Sequence, residues 1–205
     1  MPHLRPVGQR PQARYGTISR NYRSIHERGR IPRQVGGAFS RPGRAPIWIT
    51  RATVLNDGKR SSSLPLGADI SLQINFDAEP ATLNPGFGFV ISASDGTRVL
   101  GANNHYQPTK KKLAHRVERG SFVCRLGRVP LTPGTYSISL WLGDQMGDWH
   151  IEPDAMSFNI VERDIWGLGK LPAADGTSLW WPTEFELSER SDSFALEADC
   201  LAKEK

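Results

Sequence analysis

Ile70-Ser71-Leu72-Gln73-Ile74-Asn75-Phe76 decides the fold. Successive side chains of an extended chain point to opposite faces, so this strict alternation predicts a strand with one buried and one wet face. The same period recurs on either side. Upstream, Ile47-Trp48-Ile49-Thr50-Arg51-Ala52-Thr53-Val54-Leu55 runs into Asn56-Asp57-Gly58, a turn signal. Downstream, Phe87, Phe89, Ile91 and Ala93 form an apolar set that ends at Ser94-Asp95-Gly96, after which Arg98-Val99-Leu100-Gly101 can pair back as a hairpin. Phe122, Cys124 and Leu126 alternate with Ser121, Val123 and Arg125. Beyond Pro130 and Thr132-Pro133-Gly134, the residues Tyr136, Ile138, Leu140 and Leu142 alternate with Ser137, Ser139, Trp141 and Gly143; Met156, Phe158 and Ile160 close the series. About seven or eight strands with turns between them, and no stretch of helical period, predict an all-β protein: an antiparallel immunoglobulin-like or jelly-roll β-sandwich. Cys124, in phase with Phe122 and Leu126, reads as a small core residue rather than a nucleophile.

Charge divides the chain of 205 residues. Its net charge of +5 is uneven. Residues 1–45 hold ten arginines and one acid, Glu27, whereas residues 46–205 hold 16 basic and 20 acidic residues. The first segment is rich in Arg, Pro and Gly and too poor in apolar residues to offset its ordering entropy, so a disordered N-terminal arm is expected. The predicted order is therefore an arm over 1–45, the sandwich over 46–163, a Trp-rich extension over 164–190 and a flexible tail over 191–205. The arm reads as a plain extension, as a start read too far upstream, or as a basic segment for nucleic acid or anionic lipid. Nucleic acid is the weaker reading, because the arginines are scattered singly without interleaved aromatics.

Signatures of catalysis are missing. Gly167-Leu168-Gly169-Lys170 has neither the spacing nor the Ser/Thr of a phosphate loop, and there is no G-x-S-x-G, H-E-x-x-H or C-x-x-C. Of the five histidines, His105, His115 and His150 show no ligand spacing and His3 and His26 fall in the arm, so no metal or other cofactor is expected. Two cysteines, Cys124 and Cys200, suggest no disulfide framework. No run approaches the roughly 18 apolar residues of a membrane helix.

The surface carries the functional signal. Trp141 shares its face with Ser137 and Ser139, opposite the apolar set of its strand. Such an aromatic is either covered by another segment or subunit, or serves as a platform on which the C–H patches of a sugar ring stack. Polar neighbours for sugar hydroxyls stand in two loops, 103–107 and 144–150. The candidate site is thus Trp141 with Asn103, Asn104, His105, Asp144 and Trp149. Lys110-Lys111-Lys112 reads as a solvated loop or a weak anion attractor. Trp166, Trp180 and Trp181 fall outside the alternating core and require a surface to cover them, either this sandwich or a partner protomer.

Several of these stretches, in this order, are familiar: Phe87-Gly88-Phe89-Val90-Ile91, Asp95-Gly96, Gly101-Ala102-Asn103-Asn104, Val129-Pro130-Leu131-Thr132-Pro133-Gly134-Thr135-Tyr136 and Ser157-Phe158-Asn159-Ile160-Val161. Together they resemble the C-terminal domain of the ATP-binding subunit of O-antigen and related polysaccharide ABC transporters, the Wzt C-terminal domain. The similarity spans roughly Ile47–Glu162, and Asp164-Ile165-Trp166-Gly167-Leu168-Gly169-Lys170-Leu171-Pro172 with Trp180-Trp181-Pro182 extends it. The resemblance implies an immunoglobulin-like sandwich that binds a polysaccharide before export, is often a homodimer with an exchanged terminal strand, and works in the cytoplasm, peripherally at the inner membrane. In that family a nucleotide-binding domain precedes this one; here the arginine-rich arm stands in its place. ATP hydrolysis is accordingly not implied, and transport requires a separate ATPase subunit. A protein-interaction module of the transporter, or a remnant fragment, are the alternatives.

Overall fold

A computed structural model describes residues 36–109, 112–144, 146–171 and 177–187. The arm over 1–35, Lys110, Lys111, Cys200 and the 191–205 tail lie outside the described residues. Ten strands follow in chain order: β1 (Gly36–Ala38), β2 (Ile47–Asn56), β3 (Lys59–Arg60), β4 (Ser63–Pro65), β5 (Asp69–Thr82), β6 (Gly86–Ala93), β7 (Arg98–Asn103), β8 (Val117–Arg128), β9 (Gly134–Asp144) and β10 (Gly147–Val161). They form two five-stranded sheets, one ordered β1-β2-β5-β8 with β3 also on β2, the other β4-β10-β9-β6-β7. Among the described residues the fold is an all-β sandwich without helix. Two details differ from the sequence expectation. The pair β4–β10 is parallel, Leu64 lying opposite Ile160, within otherwise antiparallel sheets. Gly36–Ala38, in the stretch assigned to the arm, pairs with Arg51–Thr53 of β2. A strand of three residues carries no readable alternation, which is why composition placed the boundary later.

The alternation read from the sequence becomes the core. Ile49, Val54, Leu72 and Ile74 of one sheet and Ile91, Ile138, Leu140 and Leu142 of the other are each 0% exposed. Burying side chains of this size contributes about 1.5–3 kcal/mol apiece before entropy is counted. At the Asn56-Asp57-Gly58 turn, Asp57 (φ 48°) and Gly58 (φ 75°) both take left-handed conformations. Positive φ at both central residues gives the turn twist that matches a tight hairpin, here β2–β3. The Val129–Tyr136 motif also resolves into geometry: the Tyr136 hydroxyl donates to the Thr132 carbonyl oxygen at 2.9 Å. A tyrosine that reaches back a few residues to the backbone is the tyrosine corner of immunoglobulin-like sandwiches.

Two further contacts tie the layers together. His150 of β10 is 1% exposed, and its Nδ1 accepts the Ile49 N–H of β2 at 2.9 Å. Its Nε2 faces Glu152 Oε1 at 3.3 Å, so Nε2 carries the ring proton and donates. After β10, the Asp164 carboxylate gathers the N–H groups of Trp166, Gly167, Leu168 and Gly169. Hydrogen bonding from the Gly169 N–H above all, with those of Leu168, Gly167 and Trp166, holds the Asp164 carboxyl below its ordinary value of 3.8. Further on, the Trp180 N–H donates to Pro130 O at 2.8 Å, Thr132 N–H donates to Ser178 O at 3.2 Å, and Trp166 meets Trp180 edge to face at 5.4 Å. These parts of the Trp-rich extension therefore lie against the sandwich.

Candidate functional site

On the outer face of the β4-β10-β9-β6-β7 sheet, Trp141 has Ile151 of β10 on one side and the glycines of β6 on the other. Trp141 of β9 stands directly opposite Gly88 of β6, and Gly143 opposite Gly86. The Trp141 indole lies across Gly88 so closely that a β-carbon there would collide with Nε1, Cε2 and Cζ2. A β-carbon on Gly86 would come within 2.6 Å of His105 Nε2 and 3.5 Å of Trp141 Cζ3. The two glycines are where side chains are forbidden, because rings occupy their place. The His105 and Trp141 rings are nearly parallel, 14° apart, with centroids 5.6 Å from each other. Both lie against the backbone of β6 and against each other, so they form one offset-stacked aromatic floor. The indole is half-buried and His105 is exposed.

The remaining predicted residues divide by what they hold. Asn104 is spent on the backbone: its Oδ1 accepts the Phe87 N–H at 2.8 Å and its Nδ2 donates to Pro85 O at 2.9 Å. Asn103 Oδ1 accepts the N–H groups of His105 and Tyr106, at 3.0 and 3.2 Å, shaping the turn that carries His105 onto Gly86. These two asparagines thus position His105 beside Trp141 and are themselves half-buried. Asp144 and Trp149 sit elsewhere, at the β9–β10 hairpin tip. Asp144 Oδ1 accepts from the Met146 and Gly147 backbones and, at 2.8 Å, from Trp149 Nε1. Asp144 is an odd number of residues from Trp141 along one strand, so the two point to opposite sides of the sheet. The structure therefore brings Asn103, Asn104, His105 and Trp141 together and keeps Asp144 with Trp149 apart. Gly86 and Gly88 are the site residues the sequence reading missed. Their signal was present, since Phe87-Gly88-Phe89 interrupts a strand with a residue that has no side chain to pack.

Chemically the floor offers two flat π-faces, a ring nitrogen and backbone edges. No nucleophile–base pair is assembled around it. Cys124 lies on the other sheet, half-buried in β8, where burial pushes its thiol up to about 11; a thiol so poorly ionised is inert at neutral pH. Among the described residues no helix is long and apolar enough to cross a membrane.

The profile of the Wzt C-terminal domain family matches residues 40–171. The chain belongs to that family. Of solved structures, a crystal structure of the C-terminal domain of Wzt is similar at a TM-score of 0.51 and 17% identity, covering 69% of this chain and 88% of that one. At that identity the likeness concerns the fold, which is the sandwich described above. No curated protein sequence matches the chain. The Wzt C-terminal domain is linked to polysaccharide ABC transporters and is not their ATPase domain. The family match begins after β1 and ends at Leu171, so it takes in both the Trp141 floor and the Asp164 loop.

Proposed function

We propose that this chain is a non-catalytic polysaccharide-binding module serving the export of an O-antigen-like surface glycan by an ABC transporter. The observation that carries the reading is the Trp141–His105 floor laid over Gly86 and Gly88. A sheet face that gives up two side chains so that two rings lie flat is shaped for a planar, partly apolar ligand, and a pyranose with its axial C–H patches is such a ligand. In this reading Trp141 is the stacking surface and His105 extends it and offers hydrogen bonds. Asn103 and Asn104 fix the loop behind His105, while Asp144 orients Trp149 at the hairpin tip, which meets a longer chain beyond the floor. The module acts on the cytoplasmic side, in company with the transporter's ATPase. Titration with the host's own surface polysaccharide is the test. Trp141→Ala is expected to weaken binding about tenfold or more, the loss of a stacking contact of one to a few kcal/mol. Wild-type protein that is folded and binds no surface glycan contradicts the reading.

A second reading, assembly with another copy of the chain, has its own observation. Trp181, Phe185 and Leu187 are 78%, 93% and 99% exposed, on alternate positions of one segment. A strand-period apolar segment without a sheet is suited to pair with the edge of a partner. Two linked glycan sites would then raise avidity without a new contact. Light scattering decides it: a dimer that becomes monomeric when residues 181–187 are replaced by a Gly/Ser sequence supports the exchange, and a wild-type monomer at working concentration excludes it.

A further inference from the structure

The sheet opposite the aromatic floor has a charge pattern of its own. Cross-strand partners place Leu55, Ser71 and Arg125 in one row with Arg60; Thr53, Gln73 and Val123 in the next; Arg51, Asn75 and Ser121 in a third; and Trp48, Asp77 and Arg119 in a fourth. Directly paired residues share a face, so Arg51, Arg60, Arg119 and Arg125 all project from the outer side of the β1-β2-β5-β8 sheet. All four are exposed, and none is bridged to an acid among the described residues. Arg41 joins them at the same end, its guanidinium 4.4 Å from the centre of the Trp48 ring and bridged to Glu79 at 2.7 Å. The acids of the face are Asp69, which stands opposite Arg128, Asp77 and that bridged Glu79. Between the arginines lie the polar Thr53, Ser71, Gln73, Asn75 and Ser121, with Leu55 and Val123 among them.

The other side of the molecule has the opposite sign. Residues 144–164, which contain β10 and its hairpin, hold six acids and one base, Arg163. A sandwich whose charges nearly cancel, with 12 basic and 11 acidic residues over 46–163, has therefore concentrated its strand arginines on one sheet. The chain adds to this: residues 1–35, with eight further arginines and one acid, join the sheet at Gly36 of β1.

We infer that this face is a docking surface for an anionic phospholipid bilayer. Several observations favour a bilayer over a nucleic acid or a small anion. The arginines are spread over three of the four cross-strand rows rather than gathered in one. The face's tryptophan is capped by Arg41 rather than offered for base stacking. Basic residues near an anionic leaflet each add to its attraction, and the acidic hairpin side is repelled from it. Docked in this way, the protein holds the Trp141 floor on the side turned away from the lipid, open to a ligand. The inference does not depend on what the floor binds.

The test is co-sedimentation of the full chain with phosphatidylcholine vesicles, with and without about one-quarter phosphatidylglycerol. Binding is expected to the anionic vesicles alone and to weaken steeply with added salt. Arg51→Glu/Arg119→Glu/Arg125→Glu is expected to lower the partition coefficient about tenfold or more, with the corresponding Gln variant between the two. Circular dichroism verifies that each variant is folded, and the neutral Gln variant reads out the face if charge reversal prevents folding. Trp141→Ala is expected to leave vesicle binding unchanged. Equal binding to neutral vesicles, anionic binding insensitive to the three arginines, or duplex DNA binding that needs them while vesicles fail to bind would each overturn the inference.

Discussion

At the scale of single residues, three positions connect chemistry to place. Gly88 exists so that Trp141 can lie flat. The three atoms nearest a β-carbon at Gly88 all belong to the indole, so Gly88→Val is expected to leave the sandwich intact while forcing the ring off its seat. Glycan affinity should fall as far as in Trp141→Ala, with a melting temperature within a few degrees of wild type; retained affinity in Gly88→Val would separate the glycine from the site. His150 is the buried polar link between sheets. His150→Ala leaves the Ile49 N–H buried without its acceptor, and such an orphan costs about 1–3 kcal/mol, measurable by urea denaturation. Cys124, with its thiol raised to about 11, should alkylate at pH 8 far more slowly in native protein than in denaturant. Peptide mapping distinguishes it from Cys200. The sequence placed Cys124 and Trp141 on the correct faces, because a period of two determines facing. It was silent on Asn103 and Asn104 acting through the backbone, since which N–H a side chain meets depends on loop geometry that periodicity does not encode.

Elements explain what was legible and what was not. Most of the long strands announced themselves by alternation, and turns by Asp-Gly and Pro-Gly pairs whose required φ only those residues supply cheaply; the first half of β10 did not, since the 144–150 stretch reads as a polar loop while Gly147–His150 are already strand. The segments β1, β3 and β4 are two or three residues long; their pairing is dictated by neighbours across the sheet, and no local pattern marks it. The Val129–Tyr136 turn was legible as a motif but not as a device. Its function is the tyrosine corner, closed from outside by Ser178, whose carbonyl oxygen is also 3.3 Å from the Tyr136 hydroxyl. Tyr136→Phe is expected to cost about 1 kcal/mol, the net worth of a buried hydrogen bond, with no effect on glycan affinity. The Asp164 loop gives a pH prediction. Its folded carboxyl lies below 3.8, so its stabilisation is complete above that value and is lost as pH falls through the lower, folded value. Carbon-detected titration of Asp164 should find the midpoint below 3.8 and the loop unchanged at pH 5; a midpoint above 3.8 would show that the four N–H groups do not bond the charged form.

On the scale of the whole molecule, the two sheets have different outward faces. One offers rings over glycines, and the other arginines over a largely polar face. The whole-chain charge of +5 conceals this, because it adds a basic N-terminal segment and an acid-rich C-terminal stretch to a nearly neutral sandwich, with 12 basic and 11 acidic residues over 46–163, whose own charges are sorted by side. The common core makes both faces rigid, so each can be altered without the other. The central claim rests on the aromatic floor. Its most direct measurement is calorimetric titration of the full chain with the host's surface polysaccharide, wild type beside Trp141→Ala. Saturable binding that falls about tenfold or more on removing the indole is the predicted result; a folded wild-type protein that gives no saturable heat with that glycan would contradict it.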